Sequence, residues 1–160
     1  MRKLSFSLII WLFVLLFSSC NLINNKITFD QETFIEQKEL WIKSNTKNYQ
    51  YQLTASGFST YDGTIFVENG DFKNDLWLHG NTCIDEWEDY SSIDAIYKTI
   101  ERRFNSSNKK GTVYYTGIFI EYDKINHIPV KIEYEYKTAP LVMVDGTFHF
   151  EIGNFKKKID

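Results

Sequence analysis

PVKIEYEYK, residues 129–137, is the stretch of sequence that decides the fold. Apolar and charged residues alternate over its length: Val130, Ile132, Tyr134 and Tyr136 on one side, and Lys131, Glu133, Glu135 and Lys137 on the other. A β-strand points successive side chains to opposite faces. The segment therefore predicts a strand with one dry and one wet face, which is typical of an antiparallel sheet covered on one side.

Further strands are predicted on both sides of this segment. Residues 49–54 alternate, and residues 112–122 and 147–152 are rich in β-branched and aromatic residues. Residues 64–68 and 71–78 predict the two strands of a hairpin, because Asn69-Gly70 between them supplies the two positive φ angles of a type I′ turn. A second turn is expected at Asp62-Gly63.

Two segments predict helices. Asp30 is a suitable N-cap for a first helix that ends near residues 43–45. Ser91 and Asp94 resemble a capping box for a second helix. Its apolar residues recur at helical spacing, namely Ile93, Ile96, Tyr97, Ile100 and Phe104.

These elements predict an α+β fold, with an antiparallel sheet of about six strands and two helices on one face. Each helix is followed by a group of strands, which is consistent with two diverged αβββ halves. The predicted domain spans residues 29–155, and residues 156–160 form a basic tail.

The N-terminus, MRKLSFSLIIWLFVLLFSSC, predicts export and lipid attachment. Residues 1–19 read as a signal peptide, because the apolar run at residues 4–17 is too short to cross a hydrocarbon core of about 30 Å. The ending LFSSC resembles the lipobox of bacterial lipoproteins, which implies that Cys20 carries fatty acids such as palmitate. Two other interpretations are an ordinary signal cut that leaves a free thiol, and an uncleaved anchor.

Residues 20–28 would then be the lipidated N-terminus and its tether. This interpretation places the domain in the cell envelope, anchored to the outer or the cytoplasmic membrane. Several acyl chains hold a protein durably, since each buried CH₂ contributes about 0.8 kcal/mol.

Composition narrows the classes of function. Two of the 18 basic residues and none of the 21 acidic ones fall in residues 1–19, so the remaining 141 residues carry a net charge of −5. An exported acidic domain is a poor candidate for binding nucleic acid. With lipid on Cys20, Cys83 is the only free cysteine, so the lipidated chain has no intramolecular disulfide.

Several short segments together resemble the bacterial domain-of-unknown-function family numbered 6174. They cover nearly all of residues 30–155, in the order Trp41 before NYQY (48–51), IFVENG (65–70), SIDAIY (92–97), YDKINHIP (122–129) and GTFHF (146–150). The resemblance implies a secreted or lipid-anchored α+β domain. It carries over no catalytic or binding residue, because the family has none established.

The chain departs from this family at one turn. Members usually have glycine where His127 stands. Asn126 and His127 both tolerate the left-handed conformation better than most residues, so the turn is expected to survive.

The sequence contains no recognisable catalytic motif: HExxH, GxSxG, a Walker A loop and CxxC are all missing. Its three histidines, His79, His127 and His149, lie far apart in the chain. We therefore expect a protein that is not an enzyme and uses no cofactor. The alternative is a hydrolase whose residues meet only in space.

The segment HGNTCIDEWED, residues 79–89, is the one cluster that could bind a metal ion. Zinc could be held by His79, Cys83 and one acid such as Asp85. The other interpretation is an acidic, solvated loop with a partly buried thiol. Trp77 precedes the segment and Trp87 lies near its end, and the two are either part of a partner surface or core residues.

The sequence as a whole predicts a bacterial envelope lipoprotein. Its partners are expected to be the membrane, through the lipid on Cys20, and an envelope protein, a peptide or a glycan. The expected activity is non-catalytic binding.

Overall fold

A computed structural model describes residues 27–56, 61–73, 87–106, 113–138 and 146–158. Within these ranges the chain forms an α+β fold with two α-helices and one sheet. The helices are α1 (Gln31–Ser44) and α2 (Ile93–Ser106), and a 3₁₀ turn, Trp87–Tyr90, precedes α2. The strands are β1 (Thr28–Phe29), β2 (Tyr49–Ser56), β3 (Tyr61–Glu68), β4 (Asp71–Phe72), β5 (Val113–Asp123), β6 (Ile128–Thr138) and β7 (Gly146–Lys157).

The sheet has seven strands in the order β1-β5-β6-β7-β2-β3-β4. Every neighbouring pair is antiparallel except β1 and β5, which are parallel. The predicted α+β class is thus confirmed, and the number of strands is one more than the expected six or so. Each helix is followed by three strands, and the two three-stranded groups meet where β7 pairs with β2.

Strand β6 has the two faces that its alternation predicted. Ile132 and Tyr134 are fully buried in the core, whereas Glu135 and Lys137 are exposed. The core joins side chains of the sheet to side chains of both helices, including Phe34 of α1.

The start of α1 is as predicted. The Asp30 side chain accepts a hydrogen bond of 3.1 Å from the Thr33 N–H, which lowers the pKa of Asp30. The helix ends at Ser44, and Asn45 follows in the left-handed conformation with φ of 49°. Phe34 and Trp41 are seven residues apart, which places them on one face of α1, and both are buried.

The predicted capping box at the start of α2 is wrong by one residue. The helix begins at Ile93, so Ser92 is the residue before it, and the Ser92 hydroxyl accepts a hydrogen bond of 3.1 Å from the Ala95 amide. Two consecutive serines suit the N-cap equally well in sequence. Ser92 takes the position because Ile93, completely buried, begins the helix.

One of the two predicted turns is confirmed and the other is wrong. Asn69 and Gly70 have φ of 56° and 87°, and they join β3 to β4. Asp62 and Gly63 lie inside β3, opposite Thr54 and Leu53 of β2. Pairing with β2 and a 2.8 Å hydrogen bond from Gln52 to Asp62 override the local turn preference. Only residues 71–73 of the predicted return strand are described.

The β5–β6 turn survives the histidine as expected, and it contacts both helices. His127 has φ of 58°, and Asp123 accepts hydrogen bonds from the Ile125 and Asn126 amides. The His127 ring nitrogen Nδ1 lies 3.0 Å from the Gln37 side-chain oxygen of α1. The His127 carbonyl accepts a hydrogen bond of 2.8 Å from Tyr97 of α2.

The last strand runs further than the sequence predicted. Lys156 and Lys157, expected in a basic tail, lie in β7 opposite Gln50 and Tyr49. Lys158 continues this association, because its amide donates to the Asn48 carbonyl and its ammonium lies 2.6 Å from Glu68.

Two tyrosines of β2 hold the chain where α2 begins. The Tyr51 hydroxyl donates a hydrogen bond of 2.6 Å to the Tyr90 carbonyl, and the Tyr49 hydroxyl accepts one of 3.1 Å from the Ile93 amide. Both tyrosines are completely buried. Each hydroxyl therefore satisfies a main-chain group that has no access to water.

Arg103, near the C-terminal end of α2, packs against aromatic rings of the sheet. The carbon at the centre of its guanidinium lies 4.4 Å from the ring centre of Tyr134 on β6 and 5.7 Å from that of Tyr115 on β5. A cation over an aromatic face is attracted by the ring quadrupole, most strongly where water is excluded.

We expect Tyr51→Phe to lower the free energy of unfolding by about 1–3 kcal/mol, because it leaves the buried Tyr90 carbonyl without its donor. Urea denaturation measures the difference. Tyr122→Phe is the matched control, since the buried Tyr122 hydroxyl has no hydrogen-bond partner among the described residues. Equal losses in the two variants would contradict the account.

We expect stability to fall at high pH. Burial raises the pKa of Tyr49 and of Tyr134 from 10.0 to about 12. The unfolded chain loses these protons first, so the stabilisation is complete below pH 10 and is lost as the pH rises through 12. Between these pH values each tyrosine lowers the free energy of unfolding by about 1.4 kcal/mol per pH unit. Denaturation curves from pH 9 to 12 measure it, and Tyr49→Phe should make the dependence shallower. If the free energy of unfolding depends on pH equally steeply in Tyr49→Phe, Tyr49 does not contribute to the loss of stability.

Candidate functional site

A cavity of about 290 Å³ lies beside β5 where β1 ends. We call it the edge groove. Strand β1 pairs with Gly117 and Ile118, and the chain turns away into α1 at Asp30. The groove is lined by Thr28, Phe29, Asp30, Thr33, Ile118, Phe119, Ile120, Glu121, Tyr122, Lys131 and Glu133.

Gly117 makes room for an aromatic side chain at the rim of the groove. A Cβ on Gly117 would lie 2.6 Å and 2.9 Å from two ring atoms of Phe119, so the ring occupies the space that a side chain would take. Phe119 nevertheless remains 42% exposed. A glycine inside a strand often marks such a close approach. The groove thus has a large apolar side chain that is accessible to a ligand.

The charges around the groove are mostly negative. Asp30, Glu121 and Glu133 contribute carboxylates, and Lys131 contributes the one cation among the lining residues. The Lys131 ammonium lies 3.6 Å from Glu121. Asp30 stays ionised at neutral pH, because the hydrogen bond from Thr33 lowers its pKa. The edge groove is therefore suited to a ligand that is both apolar and cationic.

A serine, a histidine and a glutamate lie in one row on the polar side of the sheet. Ser56 of β2 is opposite His149 of β7, and His149 is opposite Glu133 of β6. An activated nucleophile needs a hydrogen bond to its base. In the described part of the chain no hydrogen bond joins the three side chains, and the buried His149 Nδ1 has no partner. The row therefore lacks, as described, the hydrogen bond between nucleophile and base.

A wider polar cleft of about 650 Å³ lies between the β3–β4 turn and the start of α2. It contains three acids, Asp71, Asp89 and Asp94, and three cations, Lys47, Lys98 and Arg102. Asp89, almost completely buried, is paired with Arg102. The cleft is balanced in charge and has no exposed large apolar residue among those that line it.

The residues that the sequence proposed for chemistry lie largely outside the described ranges. This is true of Cys20, His79, Cys83 and Asp85. Asp89, the last residue of the proposed metal-binding segment, is described and pairs with Arg102. Across the described ranges, no three His, Cys, Asp or Glu residues are grouped so that they could hold a metal ion.

Neither α1 nor α2 has the length and apolar composition needed to cross a membrane.

Sequence reasoning missed the edge groove because its lining comes from β1, α1, β5 and β6. The one local indication was Gly117, a glycine within an otherwise apolar and aromatic strand. Thr28 and Phe29 show no strand pattern of their own, and the sequence placed Thr28 in the tether.

Comparisons with known protein families, with curated proteins and with solved structures find no match for this chain. The resemblance to family 6174 therefore stays a prediction.

We expect Gly117→Ala to displace the Phe119 ring while changing the free energy of unfolding by less than about 1 kcal/mol. The atoms that the new methyl group would meet are the end of this side chain and Oε2 of Glu135, 3.0 Å away, both at the surface. NMR of the Phe119 ring protons, with urea denaturation, measures both effects. Unmoved ring resonances would show that the ring does not lie over Gly117.

Proposed function

We propose that this protein is a membrane-anchored bacterial envelope lipoprotein whose domain binds a partner without catalysis. The observation that carries the proposal is the apolar run at residues 4–17, which ends in Ser18-Ser19-Cys20. A helix of fourteen residues is only about 21 Å long, which suits a signal peptide and not a membrane span. Acyl chains on Cys20 would hold the protein at the bilayer surface.

In this proposal the two helices cover one face of the sheet, and the open edge at β5, with the uncovered face beside it, is left for contacts with a partner. Two contacts support the arrangement. The ring centres of Phe34 on α1 and Tyr97 on α2 are 5.7 Å apart, and Lys38 of α1 lies 2.8 Å from Glu101 of α2. Because the helices pack against each other and share one core with the sheet, they fit together on one side of it.

Binding is favoured over catalysis by the chemistry of the described surfaces. The described side chains of Ser56, His149 and Glu133 share no hydrogen bond, whereas the edge groove joins an exposed aromatic ring to main chain that no other described strand pairs with. Aromatic side chains are common anchors of protein interfaces. The partner class is an envelope protein, a peptide or a glycan.

The test of anchoring is metabolic labelling with an alkyne analogue of palmitate in the native bacterium. We expect labelling of the wild type and none of Cys20→Ala, because the acyl chains attach to this sulfur. Cys83→Ser is the matched control and should keep the label, since it removes the other thiol. An unlabelled wild-type protein, or equal labelling of Cys20→Ala, would refute the anchor.

A further inference from the structure

We propose that the edge groove binds an extended, basic peptide segment of a partner protein, which adds as a strand beside residues 119–122 of β5. The inference rests on the proposed binding function and names the chemistry of its partner. Three features of the groove carry it: its main chain, its apolar wall and its charge.

The main chain of β5 is paired on one side only for much of its length. Toward β6 it is paired as far as Asp123, whereas β1 covers only Gly117 and Ile118 on the other side. In the described ranges no other strand pairs with this edge. Unpaired N–H and C=O groups along an edge are a template for an added strand. Four residues, 119–122, offer about 13 Å of such an edge.

The edge is bordered by apolar side chains, which distinguishes it from a purely solvated strand. Phe29 and Ile118 lie at its closed end, and Ile120 and Phe119 lie along it. Phe119 is exposed on the rim. Natural sheet edges are usually protected by charge or by cover. Here the cavity leaves room for aliphatic side chains of an incoming strand beside the main chain of β5.

The charge of the groove selects a basic strand. Asp30 and Glu133 make no ion pair among the described residues, while Glu121 is near Lys131. A lysine side chain can lay its aliphatic stem on apolar surface and keep its ammonium near carboxylates. An acidic strand would meet an excess of two negative charges.

The test uses the full-length protein in dodecyl maltoside micelles and a fluorescein-labelled probe peptide, acetyl-Val-Lys-Val-Lys-Val-amide. Fluorescence anisotropy measures affinity, and hydrogen–deuterium exchange locates the protected amides. We expect the lysine peptide to bind at least about tenfold more tightly than acetyl-Val-Glu-Val-Glu-Val-amide, and its affinity to fall with added salt. Methylation of the valine nitrogens should abolish binding, since it removes the donors of the ladder.

Two protein variants separate groove binding from general charge attraction. Glu133→Gln should weaken the lysine peptide several-fold. Glu36→Gln, which removes an exposed acid of α1 outside the groove, should leave the affinity unchanged. Protection is expected in the β5 segment.

Three results would overturn the proposal. The first is equal affinity for the lysine and glutamate peptides, and the second is protection from hydrogen exchange only in segments other than β5. The third is protection of the β5 amides in the absence of peptide, together with self-association in sedimentation velocity. The last would make a second copy of the chain the occupant. Acylation is not needed in this assay, so its failure is distinct from a failure of palmitate labelling.

Discussion

The fold depends on two hydrogen bonds between tyrosine hydroxyl groups of one central strand and the main chain at the start of α2. Tyr49 and Tyr51 lie on β2, which pairs with both β3 and β7 and so joins the two halves of the sheet. Their phenol groups bond to the amide of Ile93 and the carbonyl of Tyr90. This position fixes where α2 begins. The helix then reaches Tyr134 through Arg103 and the β5–β6 turn through Tyr97.

Much of this architecture could be predicted because it follows from local patterns. A few neighbouring residues are enough to predict four of its features. These are the two faces of β6, the Asn69-Gly70 turn, the Asp30 cap and the periodicity of α2. Asp62-Gly63 shows the limit of local reasoning, since pairing with β2 places this turn-like dipeptide inside a strand. The choice between Ser91 and Ser92 likewise depended on which following residue the core would bury.

The edge groove could not be predicted for a different reason. Strand β1 consists of two residues and exists only because β5, nearly ninety positions later, pairs with it in parallel. The lining of the edge groove contains both Thr28 and Glu133, which only the tertiary fold brings close together. No local sequence pattern indicates such a parallel pairing. Gly117 indicated only that another group approaches the main chain of this strand closely.

The shortness of β1 has a mechanical consequence. Two ladder positions and the contacts of Phe29 with the Phe34 and Phe104 rings hold this strand to the domain. A pull on the chain at Ile27 would load these few interactions before any other part of the sheet, because β1 follows Ile27 directly. Release of β1 would uncover Gly117 and Ile118 and so lengthen the open side of β5. Tension at this end of the chain would thereby lengthen the unpaired edge of β5 while the rest of the sheet stayed intact.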